Sequence, residues 1–336
     1  MTKCGSLGPW VKRFLLDHLI EERNLSRNTQ RSYRDTFALL MPYVATERNK
    51  PVDRLDVFDL SSDVLRGFLD HLEQSRRCSI RTRNQRLAAV HAMARFIAER
   101  SPEHIAWCSQ LRAVPFKRFT RNELCYLDKP EMDAILAAPD RGTAQGRRDH
   151  ALLLFLYNSG ARVSEAASVL IGDLNLRPNQ LGDVQLRGKG RKIRRCPLWP
   201  ATIDAILALV RNRSPDQPVF LNRLGDAITR HGIHWMLRNH VRNASASHKP
   251  LLSRPISPHT IRHTTATHLL RSGVDINTIR AWLGHVSIDT TNIYAEVDLQ
   301  RKVEVLAHSN NFSTTPTPHN KPWKDDPSLL AFLRSL

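Results

Sequence analysis

Five short stretches of this chain concentrate side chains able to do chemistry. They are Gly160-Ala-Arg162-Val-Ser-Glu165, the Gly188-Lys189-Gly190 tip, His259-Thr-Ile-Arg262-His263 running on to His268, Leu283-Gly284-His285, and Ile293-Tyr294-Ala-Glu-Val297. Guanidinium groups pair bidentately with oxyanions such as phosphate and stay charged. A tyrosine hydroxyl, with an ordinary pKa of about 10, attacks at neutral pH only beside a proton acceptor or in a strongly cationic site. Singly, each stretch has a plain reading. Arg162 fits a salt-bridged surface position, Lys189 a solvated tip, and His259 and Arg262 a common i, i+3 helix face. His285 fits an interaction with a helix C-terminal dipole, and Tyr294 a core residue with its hydroxyl outside. Their joint occurrence, in this order, is what needs explaining.

The chain around them has 336 residues, long enough for two domains of ordinary size. Hydrophobic residues make up 41%, which excludes wholesale disorder. Fifty Lys and Arg against 32 Asp and Glu give a formal charge of +18. That excess points to a polyanionic partner, nucleic acid first and an anionic membrane surface second, and away from cationic substrates. The charge is spread: residues 1–125 and 126–300 are each net +8. Cys4, Cys78, Cys108, Cys125 and Cys196 are odd in number and form no C-x-x-C pair, which disfavours a disulfide framework or a zinc ribbon. The longest apolar run, Ala151 to Tyr157, is far too short to cross a bilayer, and the N-terminus lacks a signal-peptide core. The expected setting is a reducing cytoplasm, associated with the nucleoid.

The elements that must position the five stretches follow from periodicity. Four amphipathic helices are expected in the first 100 residues. They carry Trp10, Phe14 and Leu15; then Tyr33, Phe37, Leu40 and Tyr43 after Ser26; then Val64, Leu65, Phe68, Leu69 and Leu72 after Ser61; then Leu87, Val90, Ala94 and Ile97 after Ser79. Weak periodicity with Pro115 reads residues 106–127 as a linker. Asp128 and Glu131 have capping-box spacing. The all-round apolar stretch after residue 150 marks a buried helix. Val184–Leu186 and Ile193–Leu198 flank a glycine-rich turn, a β-hairpin pattern. Ile203, Ile206, Leu207 and Val210 form a helix face. Residues 259–272 and 275–283 are two more helices, the second capped by Asp275 and stopped at Gly284. The fold class is therefore mainly α, with one small antiparallel sheet. Residues 309–327 read as a Pro-rich extended spacer. The apolar segment 328–336 needs a groove on its own chain or a neighbour.

With these stretches in this order, the chain resembles the tyrosine recombinase (phage integrase) family, of Xer or integrase type. Tyr157 to Glu165 is similar to that family's first arginine box, Gly188 to Leu198 to its lysine hairpin, and His259 to Leu270 to its His-x-x-Arg box. Leu283-Gly-His285 followed by Tyr294 is similar to its closing box. The resemblance spans essentially residues 10–300. It implies an N-terminal four-helix, SAM-like core-binding domain (1–105), the linker 106–127, a mostly helical catalytic domain (128–308) and a C-terminal docking segment (309–336). The implied activity is site-specific DNA recombination, as integration, excision or resolution, through a 3′-phosphotyrosyl intermediate and a Holliday junction. The spacer and apolar tail lean towards a transposition or mobile-element role.

The resemblance also implies roles. Tyr294 is the nucleophile; Arg162 and Arg262 bind the non-bridging phosphate oxygens; Lys189 protonates the leaving 5′-oxygen. His259 assists proton transfer at the tyrosine, His285 hydrogen-bonds the phosphate, and Glu165 orients groups of the site. Neither metal nor ATP is required, and no cofactor is expected. A zinc site from His259, His263, His268 and His285 lacks carboxylate or thiol partners at metal spacing. His231, His234 and His240 read as surface or DNA-backbone groups, and Trp282 as core. Duplex DNA is the implied partner, gripped by both domains, with a homo- or hetero-tetramer on two sites that can include related recombinases. Candidate DNA contacts are Asn28, Thr29, Arg31 and Arg34, together with Ser79, Arg81, Thr82, Arg83 and Arg86, at two helix starts. The alternative for these arginines is a solvated face. Two other classes compete: a DNA-binding protein of this fold without catalysis, and a type IB topoisomerase-like enzyme.

Overall fold

The computed structural model describes residues 5–119, 125–176, 182–188, 192–246, 248, 251 and 253–284. The chain divides into two compact units, Met1–Asn122 and Glu123–Leu336. Lys189, His285, Tyr294 and the segment 309–336 lie outside the described residues.

The first unit is helical throughout. Helix α1 (Leu7–Arg13) continues as a π-helical stretch, Phe14–Glu22, and is followed by α2 (Arg27–Arg48), α3 (Ser62–Gln74) and α4 (Ile80–Ala98). Each of the last three starts where a serine accepts a backbone N–H from three residues on: Ser26 from Thr29, Ser61 from Val64, Ser79 from Thr82. Asn49 ends α2 in the left-handed conformation. The apolar stripes meet in one core, where Phe14 packs against Phe37 and Phe96.

The linker expected over 106–127 is corrected in its first part. Ile105–Arg112 is a fifth helix, α5, and Trp107, Cys108, Leu111 and Val114 belong to the same core. The Trp107 indole donates to the Leu60 carbonyl at 2.8 Å. Pro102 opens a short 3-10 turn that leads into the helix instead of ending structure. At eight residues, just over two turns, the helix is too short for its stripe to stand out.

In the second unit, α6 (Lys129–Ala137) starts with the Glu131 carboxylate accepting the Asp128 N–H at 2.8 Å. Helix α7 (Ala144–Ser159) is buried from Ala151 to its end. It stops at Gly160, whose φ of +55° suits glycine and whose absent Cβ leaves room for Leu283. A short α8 (Val163–Ser168) follows, then a three-stranded antiparallel sheet, β1 (Leu174–Asn175), β2 (Gly182–Arg187) and β3 (Ile193–Leu198), in the order β1-β2-β3. Val184 pairs with Cys196 and Leu186 with Arg194. Val184, Leu186, Cys196 and Leu198 join the core. Helices α9 (Pro200–Val210), α10 (Arg230–Ala244), α11 (Pro258–Arg271) and α12 (Ile276–Leu283) complete the unit. Asp275 caps α12 and Gly284 ends it at φ +66°. Among the described residues, no helix is long and apolar enough to cross a membrane.

Trp107→Ala removes a buried ring and its hydrogen bond from the first unit. We expect a loss of about 3–5 kcal/mol in denaturant unfolding. A variant as stable as the parent would show that α5 is not part of this core.

Candidate active site

Two of the five stretches meet a third at the end of α12. Arg162 is the residue before α8, and Glu165 is its third residue. Helix starts leave backbone N–H groups without partners, and Glu165 Oε2 accepts the Arg162 N–H at 2.8 Å. Glu165 Oε1 accepts from Arg162 Nη1, also at 2.8 Å. The same carboxylate accepts from Arg194 Nη1 at 3.0 Å and Nη2 at 2.8 Å. Burial alone would raise the pKa of Glu165, but the Arg194 and Arg162 contacts outweigh it and hold the carboxyl below the usual range.

Arg262 lies on α11 with 2% of its surface exposed. Its Nη1 donates to the Gly160 carbonyl at 2.6 Å and its Nη2 to the Leu283 carbonyl at 2.7 Å. Arg194 Nε donates to the Trp282 carbonyl at 2.9 Å, and Arg162 Nη2 lies 3.4 Å from the Gly284 carbonyl. Three arginines from separate segments thus converge on the last carbonyls of α12. Arg162 keeps 35% of its side chain exposed.

His259 and His263 lie one turn apart near the start of α11, His259 exposed, with ring centroids 4.2 Å apart. Burial, His259 and the charge of Arg262 push the His263 pKa down to about 4. His268 does not join them: its Nδ1 is 2.7 Å from the Tyr157 hydroxyl. Tyr157 itself, raised to about 12 by burial and by Asp133, is a poor nucleophile. Among the described residues no group of three His, Cys, Asp or Glu side chains could hold a metal ion. Gly188, the residue that follows β2, also lies at this place. A Cβ on Gly188 would lie 3.3 Å from Glu165 Oε1 and 3.6 Å from Arg162 Nη1.

A family model for the phage integrase family matches residues 125–301, and one for the phage integrase N-terminal SAM-like domain matches residues 11–101. The chain belongs to the phage integrase family. It is 39% identical to "Putative integrase/recombinase y4rC" of Sinorhizobium fredii over the full length of both chains. It is 34% identical to the tyrosine recombinase XerC of Pelobacter propionicus, over 92% of this chain and 97% of that one. Among solved structures, the XerH site-specific recombinase bound to a palindromic difH substrate matches with a TM-score of 0.67 at 21% identity, over 85% of this chain and 81% of that one. The Tn1549 transposon integrase in complex with circular intermediate DNA matches with a TM-score of 0.64 at 18% identity, over 88% and 98%. These likenesses show that the chain has the tyrosine recombinase fold.

The candidate DNA contacts of this family member fall into exposed and buried groups. The first turns of α2 and α4 border one groove of about 280 Å³ lined by Asn28, Arg31, Thr82 and Arg86 among others. Gln85 Nε2 donates to Ser32 Oγ at 2.7 Å and ties the two helices together. Asn28, Arg31, Arg34, Ser79 and Arg81 are exposed; Thr29 is part-exposed beside the Ser26 cap, and Arg34 pairs with Asp35 at 2.7 Å. Arg83 is corrected. It is 4% exposed, 3.3 Å from the Glu73 carboxylate, and donates to the Pro115 carbonyl at 3.1 Å. It braces the segment after α5 and does not face solvent. His240 is corrected likewise, its Nε2 lying 2.9 Å from the buried Asp149 carboxylate. His231 and His234 do lie on the exposed face of α10, with Trp235 (62% exposed), Arg238 and Arg242.

Sequence reasoning missed Arg194 and the Trp235–Arg238 stripe. A signal for Arg194 existed: residues 194, 196 and 198 share one face of β3, so a charge stands on a face that otherwise carries Cys196 and Leu198.

A folded pKa of about 4 for His263, against an ordinary 6.5, fixes a sign. The unfolded chain binds the proton more readily, so this group's contribution is full above pH 6.5 and is lost as pH falls towards 4. His263→Gln should flatten unfolding free energy against pH in that window. An unchanged slope would show that His263 titrates normally.

Proposed function

We propose that this chain is a site-specific DNA recombinase that cuts and rejoins strands through a covalent protein–DNA link, with four protomers on two duplex sites. Tyr294 attacks the scissile phosphate and forms a 3′-phosphotyrosyl bond as the phosphorus–O5′ bond breaks. Lys189 gives its proton to the departing oxygen, which leaves as a 5′-hydroxyl. Arg162 and Arg262 take the charge that builds on the non-bridging oxygens, His259 handles the tyrosine proton, and His285 donates to the phosphate. The covalent link conserves the phosphodiester, so no nucleotide hydrolysis is needed, and fixed cations supply the stabilisation.

The observation that carries this reading is the meeting of Arg162, Arg262 and the Gly188 end of β2 around the C-terminus of α12. It brings two guanidinium groups together beside the residue that precedes Lys189 in sequence and the one that precedes His285. The groove between α2 and α4 and the exposed face of α10 are the surfaces we assign to the duplex, as helix starts and cationic side chains favour phosphates. Whether the event is integration, excision or resolution depends on the DNA sites, and the C-terminal tail favours a mobile-element role.

A duplex nicked near the cleavage position traps the covalent step. Wild-type protein should give an adduct that survives denaturation and forms with chelator present. Tyr294→Phe should abolish the adduct and keep binding. An adduct persisting in that variant would overturn the nucleophile assignment.

The DNA surfaces are tested by salt. Arg31→Ala and Arg81→Ala should each lower the slope of log affinity against log salt by about 1. Unchanged slopes would remove the α2–α4 groove from the interface.

A further inference from the structure

We infer that Arg194 is a positioning residue for the cleavage step: it locks the hairpin that carries Lys189 onto the Glu165 carboxylate and the end of α12. The inference rests on the proposed role of Lys189 as the general acid.

Arg194 sits on β3 with 9% of its side chain exposed. All three of its nitrogens are engaged. Two make a fork on Glu165, at 3.0 Å and 2.8 Å, and Nε donates to the Trp282 carbonyl at 2.9 Å. A Cβ on Gly284 would lie 2.9 Å from Arg194 Cδ, so the stem of the side chain packs on the same turn. On the hairpin itself, Gly188 N–H donates to the Lys192 carbonyl at 2.8 Å, which pins the two residues flanking the 189–191 tip to each other. The Gly188 position in turn lies against Glu165 and Arg162. Arg162 has its own two bonds to Glu165 and is held by them whether or not Arg194 is present. The hairpin is different. Arg194 is the side chain by which β3 grips both the carboxylate and α12. A lysine there offers one compact ammonium and cannot reproduce two parallel bonds and a third to a carbonyl.

The consequence is specific to one proton. In cleavage the phosphorus–O5′ bond breaks and the oxygen leaves with a proton from the Lys189 ammonium. If the bridging oxygen is replaced by sulfur, the electron pair leaves on a thiolate, whose conjugate acid has a pKa of about 8.5 in a cysteine, and no acid is required. Misplacing a catalytic group by about 1 Å can cost on the order of 100-fold.

The experiment measures single-turnover adduct formation on a normal duplex and on one with a 5′-bridging phosphorothiolate, for wild type, Arg194→Lys, Arg194→Gln and Lys189→Ala. Arg194→Lys and Arg194→Gln should slow the oxygen substrate by about 100-fold and the sulfur substrate by less than about 3-fold. The ratio of the two rates is independent of the fraction of protein that folds, so a destabilised variant still reports. Equal slowing on both substrates would overturn the inference, because the lost function would then not be protonation. Failure of sulfur to rescue Lys189→Ala would remove Lys189 as the acid, and the role of Arg194 with it. Rescue of Lys189→Ala without rescue of the Arg194 variants would refute Arg194 alone.

Discussion

The Glu165 carboxylate is 4% exposed and accepts four hydrogen bonds, two from Arg162 and two from Arg194. Two guanidinium groups this close repel unless an anion stands between them. A carboxylate this deep is tolerable only when its charge is met from several sides. The carboxylate and the guanidinium groups therefore offset one another's burial cost. The position of Glu165 follows from local structure: three residues into a helix, it returns to accept the N–H of the residue that precedes the helix. A short helix start thus fixes a buried anion on which Arg162 and Arg194 converge.

The second constraint is the end of α12. A helix leaves its last carbonyls without intrahelical partners, and they carry partial negative charge. In this chain the carbonyls of Trp282, Leu283 and Gly284 face Arg194, Arg262 and Arg162 in turn. The glycines make the approach possible. Gly160 and Gly284 both take positive φ, and a side chain on either would collide with a neighbour at the junction, Leu283 in one case and Arg194 in the other. The arginines and the backbone they bind are thus one unit, assembled from α7, α8, β3, α11 and α12.

Much of the fold was legible because its signals are local. Ser26, Ser61, Ser79, Asp128 and Asp275 announce helix starts by residue type and spacing, and Gly284 announces an end. The buried helix, the hairpin and the apolar stripes follow from periodicity alone. What was not legible is long-range. Arg83 sits among exposed arginines at a helix start, and its partners Glu73 and Pro115 lie on α3 and after α5, outside any local window. His240 shares a helix with exposed histidines but turns towards Asp149 on α7. In Arg194, strand alternation supplied a hint, yet its partner Glu165 is 29 residues away in sequence. A pairing at that separation is written in the topology of the sheet and not in any window of residues.

The two site arginines differ in a way that bears on how a phosphate would be held. Arg262 is spanned between the Gly160 and Leu283 carbonyls, so its charge is fixed in place by backbone before any ligand arrives. Backbone carbonyls cannot ionise or swing away, and a charge held by them needs no reorganisation when a transition state develops. Arg162 is more exposed and is held through a carboxylate, a partner that competes directly with an incoming phosphate for the same fork. Glu165 avoids that competition by engaging Arg162 through Nη1 and through the main-chain N–H, while Arg194 occupies the rest of its lone pairs. Arg162 keeps 35% of its side chain exposed, so part of it stays within reach of an incoming phosphate.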